Sequence, residues 1–194
     1  MEQWIHFYKE YFESEKERNR FILKCESLRP QSDSHKAKIM MHQGKRLVSI
    51  ANEMESVAGG RDSLKLMFLI IACENVYKLS LGKSLRGDSN KSVKKFFNVF
   101  VSPEDKETLT KGIHLITPEE SDYDLADIID ALYKIRCDIV HEGYYWGFDF
   151  ACKRYPTVLS GRGTDLQLRV SLQYEDLRGI IVRGIIRAVE RHIN

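Results

Sequence analysis

The sequence has no C-x-x-C pair; its four cysteines, Cys25, Cys73, Cys137 and Cys152, are scattered. That spacing gives no support to a zinc or thioredoxin-like site and suits a reducing compartment. There is no long unbroken apolar run. The most apolar segment, Leu64 to Leu81, is interrupted by Lys65, Glu74, Asn75 and Lys78, which argues against a membrane span. The first twenty residues are acidic and aromatic and lack the basic start and apolar run of a secretory signal. Charge of one sign is also missing. A net charge of +2 excludes a histone-type polycation, so any nucleic-acid binding has to come from a local patch. No repeat, low-complexity linker or second domain interrupts the chain. The expectation is one soluble, cytoplasmic domain covering residues 1–194.

What is present suffices for a core. The 43% hydrophobic and 30% charged residues fit a globular protein rather than a disordered one. Apolar residues recur at helical spacing over residues 3–28, through Trp4, Phe7, Tyr8, Tyr11, Phe21, Ile22, Cys25 and Leu28. The spacing predicts one helix there, with ESEKERNR as its solvated stretch. A second helix is expected from about Ser34 to Val57. A third, capped by Asp62 or Ser63 and ended by Gly82, is apolar on nearly every face and is therefore expected at the centre. A short helix follows over SVKKFFNVF. Another opens at Ser102-Pro103, with serine as cap and proline in the first turn.

Thr117-Pro118-Glu119-Glu120 repeats that signature with a capping-box glutamate, and the helix it opens should reach His141. The period then shifts to two. Thr157–Ser160, a turn at Gly161–Gly163 and alternating Leu166, Leu168, Val170 and Leu172 predict a β-hairpin. A last helix begins near Tyr174. Gly179 and Gly184 within it are expected to permit close helix contact. The predicted fold is mainly α: a helical bundle with a small β-hairpin before the last helix.

One residue contradicts its helix. Leu125, Ile128, Ile129, Leu132 and Ile139 fall on one face at about 100° per residue, and Arg136 falls among them. A buried cation costs several kcal/mol unless paired. Glu74, set in the apolar run IIACENVYKL, has the same need, so a Glu74–Arg136 pair is expected. Two readings stand for the motif. In the first it is structural, with Arg136 in a core ion pair and His141 favoured at a helix C-terminus. In the second it carries chemistry.

The segment LYKIRCDIVHEG resembles the R-x4-6-H motif helix of the HEPN superfamily, the higher eukaryotes and prokaryotes nucleotide-binding domains. FLIIACENVYKL resembles that family's long central helix, with a glutamate amid apolar residues. The order of elements fits too, and the likeness, covering roughly residues 35–192, is greatest to the prokaryotic Apea-like group. The resemblance implies a HEPN-like bundle and metal-independent RNA cleavage by a homodimer, without cofactor or metal. It also implies toxin, antitoxin-partnered or anti-phage roles. Other members keep the fold and only bind RNA, nucleotide or a partner protein.

The residue chemistry suits RNA cleavage. The ribose 2′-OH attacks the adjacent phosphate, so a proton must be exchanged near neutrality, which suits histidine. The charge growing on phosphorus suits the planar fork of arginine. Arg136 and His141 are therefore the candidate catalytic residues, with Glu74, Asp138 and Cys137 in support. Many catalytic members carry Asn or Asp directly after the arginine; Cys137 stands there, with Asp138 next and placed to orient His141.

Tyr144, Tyr145, Trp146 and Phe148 offer rings for base stacking or, alternatively, cover for the bundle end or a dimer seam. Lys94 and Lys95, with Lys91, form a basic cluster that either contacts RNA or is solvated. Arg183, Arg187 and Arg191 step by four as a phosphate ridge or, more simply, a solvated face. Asp138, His141 and Glu142 form no convincing metal set.

Overall fold

The computed structural model describes the chain apart from residues 1, 29–34, 58, 60, 83–86, 117–122, 153–155, 161–166 and 194, and the side chains of 159 and 160. Among the described residues there are eight α-helices and one small sheet. In order they are α1 (Glu2–Tyr8), α2 (Glu15–Glu26), α3 (His35–Val57), α4 (Asp62–Leu81), α5 (Ser89–Phe100), α6 (Pro103–Gly112), β1 (Ile113–Ile116), α7 (Leu125–Glu142), β2 (Thr157–Ser160), β3 (Gln167–Val170) and α8 (Tyr174–Ile193). A mainly helical fold was expected and is found. No described helix is long and apolar enough to cross a membrane.

Helix α4 is the hub and packs against α3, α5, α7 and α8. Its all-round apolarity explains this position: Leu66, Leu69, Ile70, Cys73 and Val76 are fully buried. Gly82 ends α4 in the left-handed region (φ +63°), where a side chain would be strained. Helix α8 packs against α3 and α4 with Ile180, Ile181 and Ile185 buried, Ile185 beside Gly44 of α3. Gly184 lets α8 approach closely, since a Cβ there would sit 2.8 Å from the buried Phe96 ring. Gly179 does not serve that purpose. The space beside it is filled by the Arg183 guanidinium, from the same helix.

The single helix expected over residues 3–28 is two. The chain passes from α1 through a 3-10 turn at Lys9–Tyr11 to an extended Phe12. Ser14 then caps α2 by accepting a hydrogen bond from Glu17 N. The S-x-x-E signature lies inside the apparent helix. The break lets Tyr8 and Phe12 meet Phe21, with ring centroids 5.4 and 5.3 Å apart. Arg18, expected in solvent, is buried and paired to Glu15 at 2.9 Å.

The hairpin has a third member. β3 is central, with β1 and β2 antiparallel on either side, Val170 facing both Ile113 and Thr157. β1 is four residues long, too short for a period to declare itself, and it runs directly out of α6. Its junction is fixed by Gly112, whose carbonyl accepts from Ser171 N and Leu172 N. The expected turn at Gly161–Gly163 lies outside the described residues.

The capping box expected at Thr117–Glu120 also lies outside the described residues. Helix α7 is capped by Asp124, which accepts from Ala126 N and Asp127 N, while Asp127 accepts from Asp124 N. Gly143 (φ +67°) closes the other end. Ser102 and Pro103 open α6 as expected. At α4 the residue in the cap position is Arg61, with no side-chain cap. Ser63 is instead fully buried: its hydroxyl donates to Phe148 O and accepts from Phe148 N. That pair ties the segment after α7 back to the hub.

Candidate functional site

Helix α7 lies against α4 and α5. Ile128, Ile129, Leu132 and Ile139 are buried in that seam, and Arg136 enters it with them. The Arg136 side chain is only 17% exposed, and its Nη2 stands 3.6 Å from Glu74 Oε2. The guanidinium carbon lies 5.6 Å from the centre of the Tyr133 ring. The expected Glu74–Arg136 pair is therefore present as a charge contact, but the distance exceeds a hydrogen bond.

Glu74 divides its two oxygens. Oε1 accepts from Lys78 Nζ at 2.5 Å and Ser89 Oγ at 2.6 Å. Oε2 is buried without a hydrogen-bond partner, and so is Arg136 Nε. Burial alone would raise the Glu74 carboxyl; the hydrogen bonds from Lys78 and Ser89, then the Lys78 and Arg136 charges, outweigh it and hold the group below its ordinary value. Tyr133 is pushed the other way, first by burial and then by the Cys137 thiol. Cys137 thus faces Tyr133 and the seam as a half-buried free thiol.

His141 lies five residues, about 1.4 turns, beyond Arg136, about 140° round the helix. It is exposed, and among the described residues no hydrogen bond or ion pair holds it. Asp138 does not orient it. Both Asp138 oxygens accept from Lys134 Nζ, at 3.0 and 2.9 Å, because the i,i+4 spacing places that lysine directly over the carboxylate. The site is thus split into a dry half, with Arg136 and Glu74, and a wet half with His141.

Around the wet half stand apolar surfaces. Val140 is 48%, Tyr145 42% and Trp146 61% exposed. Trp146 packs edge-on against Tyr144, and the Arg61 guanidinium lies 6.0 Å from its ring. Phe148, the fourth aromatic, is fully buried and belongs to the core.

The basic candidates separate. Lys94 is engaged by Asp130 at 2.6 Å, and Asn90 binds the same carboxylate, so this cation joins α5 to α7. Lys95 is exposed. Arg183, Arg187 and Arg191 are partly or fully exposed, but each also has a partner. Arg183 and Arg187 converge on the buried Asp105, Arg187 also reaches Phe100 O, and Arg191 donates to Val99 O. They fasten α8 to the α5–α6 junction. Among the described residues no three His, Cys, Asp or Glu side chains gather to hold a metal ion, the Asp138–Glu142 segment included.

Sequence reasoning missed Lys78, Ser89 and Tyr133. Lys78 had a signal, the Glu-x3-Lys spacing on one helix. Ser89 had none, since it arrives from another helix. No family model, curated protein or solved structure matches the chain.

Proposed function

We propose that this protein is a HEPN-type, metal-independent endoribonuclease that works as a homodimer, of the toxin or anti-phage class. The observation that carries the reading is the pairing, on one helix, of an arginine lacking a hydrogen-bonded partner for its Nε with an exposed, uncommitted histidine. In the reaction the 2′-OH oxygen attacks phosphorus and the bond to the 5′-oxygen breaks. One proton leaves the 2′-OH and one is delivered to the departing 5′-oxygen. A histidine suits each transfer, and the guanidinium neutralises charge on the phosphoryl oxygens.

A single chain holds one such histidine, turned away from its arginine. Two copies related by a two-fold axis offer two His141 side chains, one for each proton, and bring the arginines toward one phosphate. The exposed Val140, Tyr145 and Trp146 beside His141 offer apolar surface for that contact. An antitoxin or other regulatory partner belongs to this class of function.

A second reading, a non-catalytic module that binds RNA, nucleotide or a partner protein, is favoured by the deep seating of Arg136 against Glu74. One experiment separates them: purified protein and His141→Ala incubated with RNA in EDTA. The ribonuclease reading expects cleavage by the wild type and a loss of about 10²–10⁴ in the variant. Equal residual cleavage by both marks contamination and defeats it.

A further inference from the structure

Few contacts hold Arg136. Among the described residues it makes no hydrogen bond: its Nε is buried without a partner, and Nη2 stands 3.6 Å from Glu74 Oε2. What remains is the Tyr133 ring, whose centre lies 5.6 Å from the guanidinium carbon. Lys45, Lys65 and Arg191 also lie against rings. Each of those is fixed by a hydrogen bond as well, to Gln3, Glu55 and Val99 O respectively. For Arg136 the ring and one charge contact are what fix the side chain.

The ring is itself held. Tyr133 precedes Arg136 by three residues on α7, so the two side chains are neighbours on the helix surface. Tyr133 packs against the edge of the core. The Ser89 hydroxyl from α5 and the Cys137 thiol adjoin its hydroxyl end. Ser89 Oγ also donates to Glu74 Oε1 at 2.6 Å. One serine thus adjoins both groups that flank the guanidinium, the tyrosine and the carboxylate.

Orientation matters because access is narrow. Only 17% of the Arg136 side chain is exposed, and Nε is not part of that surface. A phosphate can approach only along the Nη edge of the fork. A planar fork donates to two phosphate oxygens only when that edge faces them. From this arrangement we infer that Tyr133 is a positioning residue: its ring, and not its hydroxyl, sets the plane of the Arg136 guanidinium in the seam of α4 and α7. The consequence for catalysis rests on the ribonuclease reading; the stacking itself does not.

The test compares the wild type with Tyr133→Phe and Tyr133→Leu in two readouts. The first is the order parameter of Arg136 Nε–H from ¹⁵N relaxation, its resonance assigned by its loss in Arg136→Lys. Arg183, whose Nε donates to Asp105, is the internal reference and shows that the fold holds. Tyr133→Met, an unbranched apolar filler, replaces the leucine variant if that one melts early. The expected result is a rigid Arg136 in the wild type and in Tyr133→Phe. In Tyr133→Leu its order parameter should fall below about 0.6, with Arg183 unchanged. The second readout is RNA cleavage. Tyr133→Leu should lower kcat by roughly 2–30-fold with KM little changed, and Tyr133→Phe should recover most of that loss. A leucine variant with a wild-type order parameter at Arg136, or with wild-type kcat, overturns the inference. Equal loosening in Tyr133→Phe overturns it too, since the hydroxyl would then be what matters. The two failures are separable: a wild type that cleaves no RNA defeats the ribonuclease reading, while the order parameters still decide the stacking.

Discussion

Arg136 Nη2 lies 3.6 Å from Glu74 Oε2, within reach of charge attraction and outside that of a hydrogen bond. The stronger grip on this carboxylate comes from Lys78 and Ser89, at its other oxygen. Glu74 therefore balances the charge of the arginine without a hydrogen bond to it.

The division of Glu74 predicts an ordering of energies. Glu74→Gln should lower stability by about 2–3 kcal/mol, since a largely buried charge network loses its centre. Double-mutant cycles by urea unfolding should give a coupling of about 1–2 kcal/mol between Glu74 and Lys78. The coupling to Arg136 should be smaller, below about 1 kcal/mol. A larger coupling to Arg136 than to Lys78 would contradict the geometry.

Asp105 predicts a pH dependence. Burial would raise its carboxyl, but hydrogen bonds and charge from Arg183, with help from Ser102 and Arg187, hold it below the ordinary value. A carboxyl depressed on folding contributes stability that is complete above its unfolded value, about 3.9. That contribution is lost as pH falls through the lower folded value. Asp105→Asn should therefore be less stable than the wild type at neutral pH, by about 1–3 kcal/mol, a buried-pair cost discounted because both arginines are partly exposed. The two unfolding curves should converge as pH drops below the carboxylate range. A gap that persists or widens in acid would reverse the assigned sign.

The two glycines of α8 predict opposite outcomes. Alanine gains about 1 kcal/mol of helix propensity over glycine at either position. At Gly184 its Cβ would press on the tip of the buried Phe96 ring, and overpacking of about 1–3 kcal/mol should outweigh the gain, lowering Tm. At Gly179 the neighbour is the end of the Arg183 side chain, 3.0 Å from the added carbon and able to give. Gly179→Ala should melt at or above the wild-type temperature. Thermal melts of the two variants side by side check this.

The helices are legible wherever a short-range signal marks them. Ser102-Pro103 opens α6, Gly82 and Gly143 close α4 and α7, and the apolar run of α4 announces its central place. Ser14 carries an equally good signal, but it is masked, because the aromatic spacing on either side of it continues the helical period. β1 cannot be read at all: four residues that pair only with a strand more than fifty positions later show no period of their own.

By itself the sequence determined that Arg136 would enter the packed face of α7 and require an anion, and that Glu74 was the carboxylate available in the central helix. Both follow from helical periodicity, which is local, and from the cost of burying an unpaired charge. Which groups then meet across helices was decided only by how the helices dock. Lys78 reaches Glu74 Oε1 within α4, but docking added Ser89 to that oxygen and left Arg136 at 3.6 Å from Oε2. Docking also drew Arg183 and Arg187 onto Asp105, 78 and 82 positions away in the chain. Asp138 was settled by a pairing within its own helix, with Lys134. Partner choice between helices depends on crossing and rotation, and no short window of sequence encodes either.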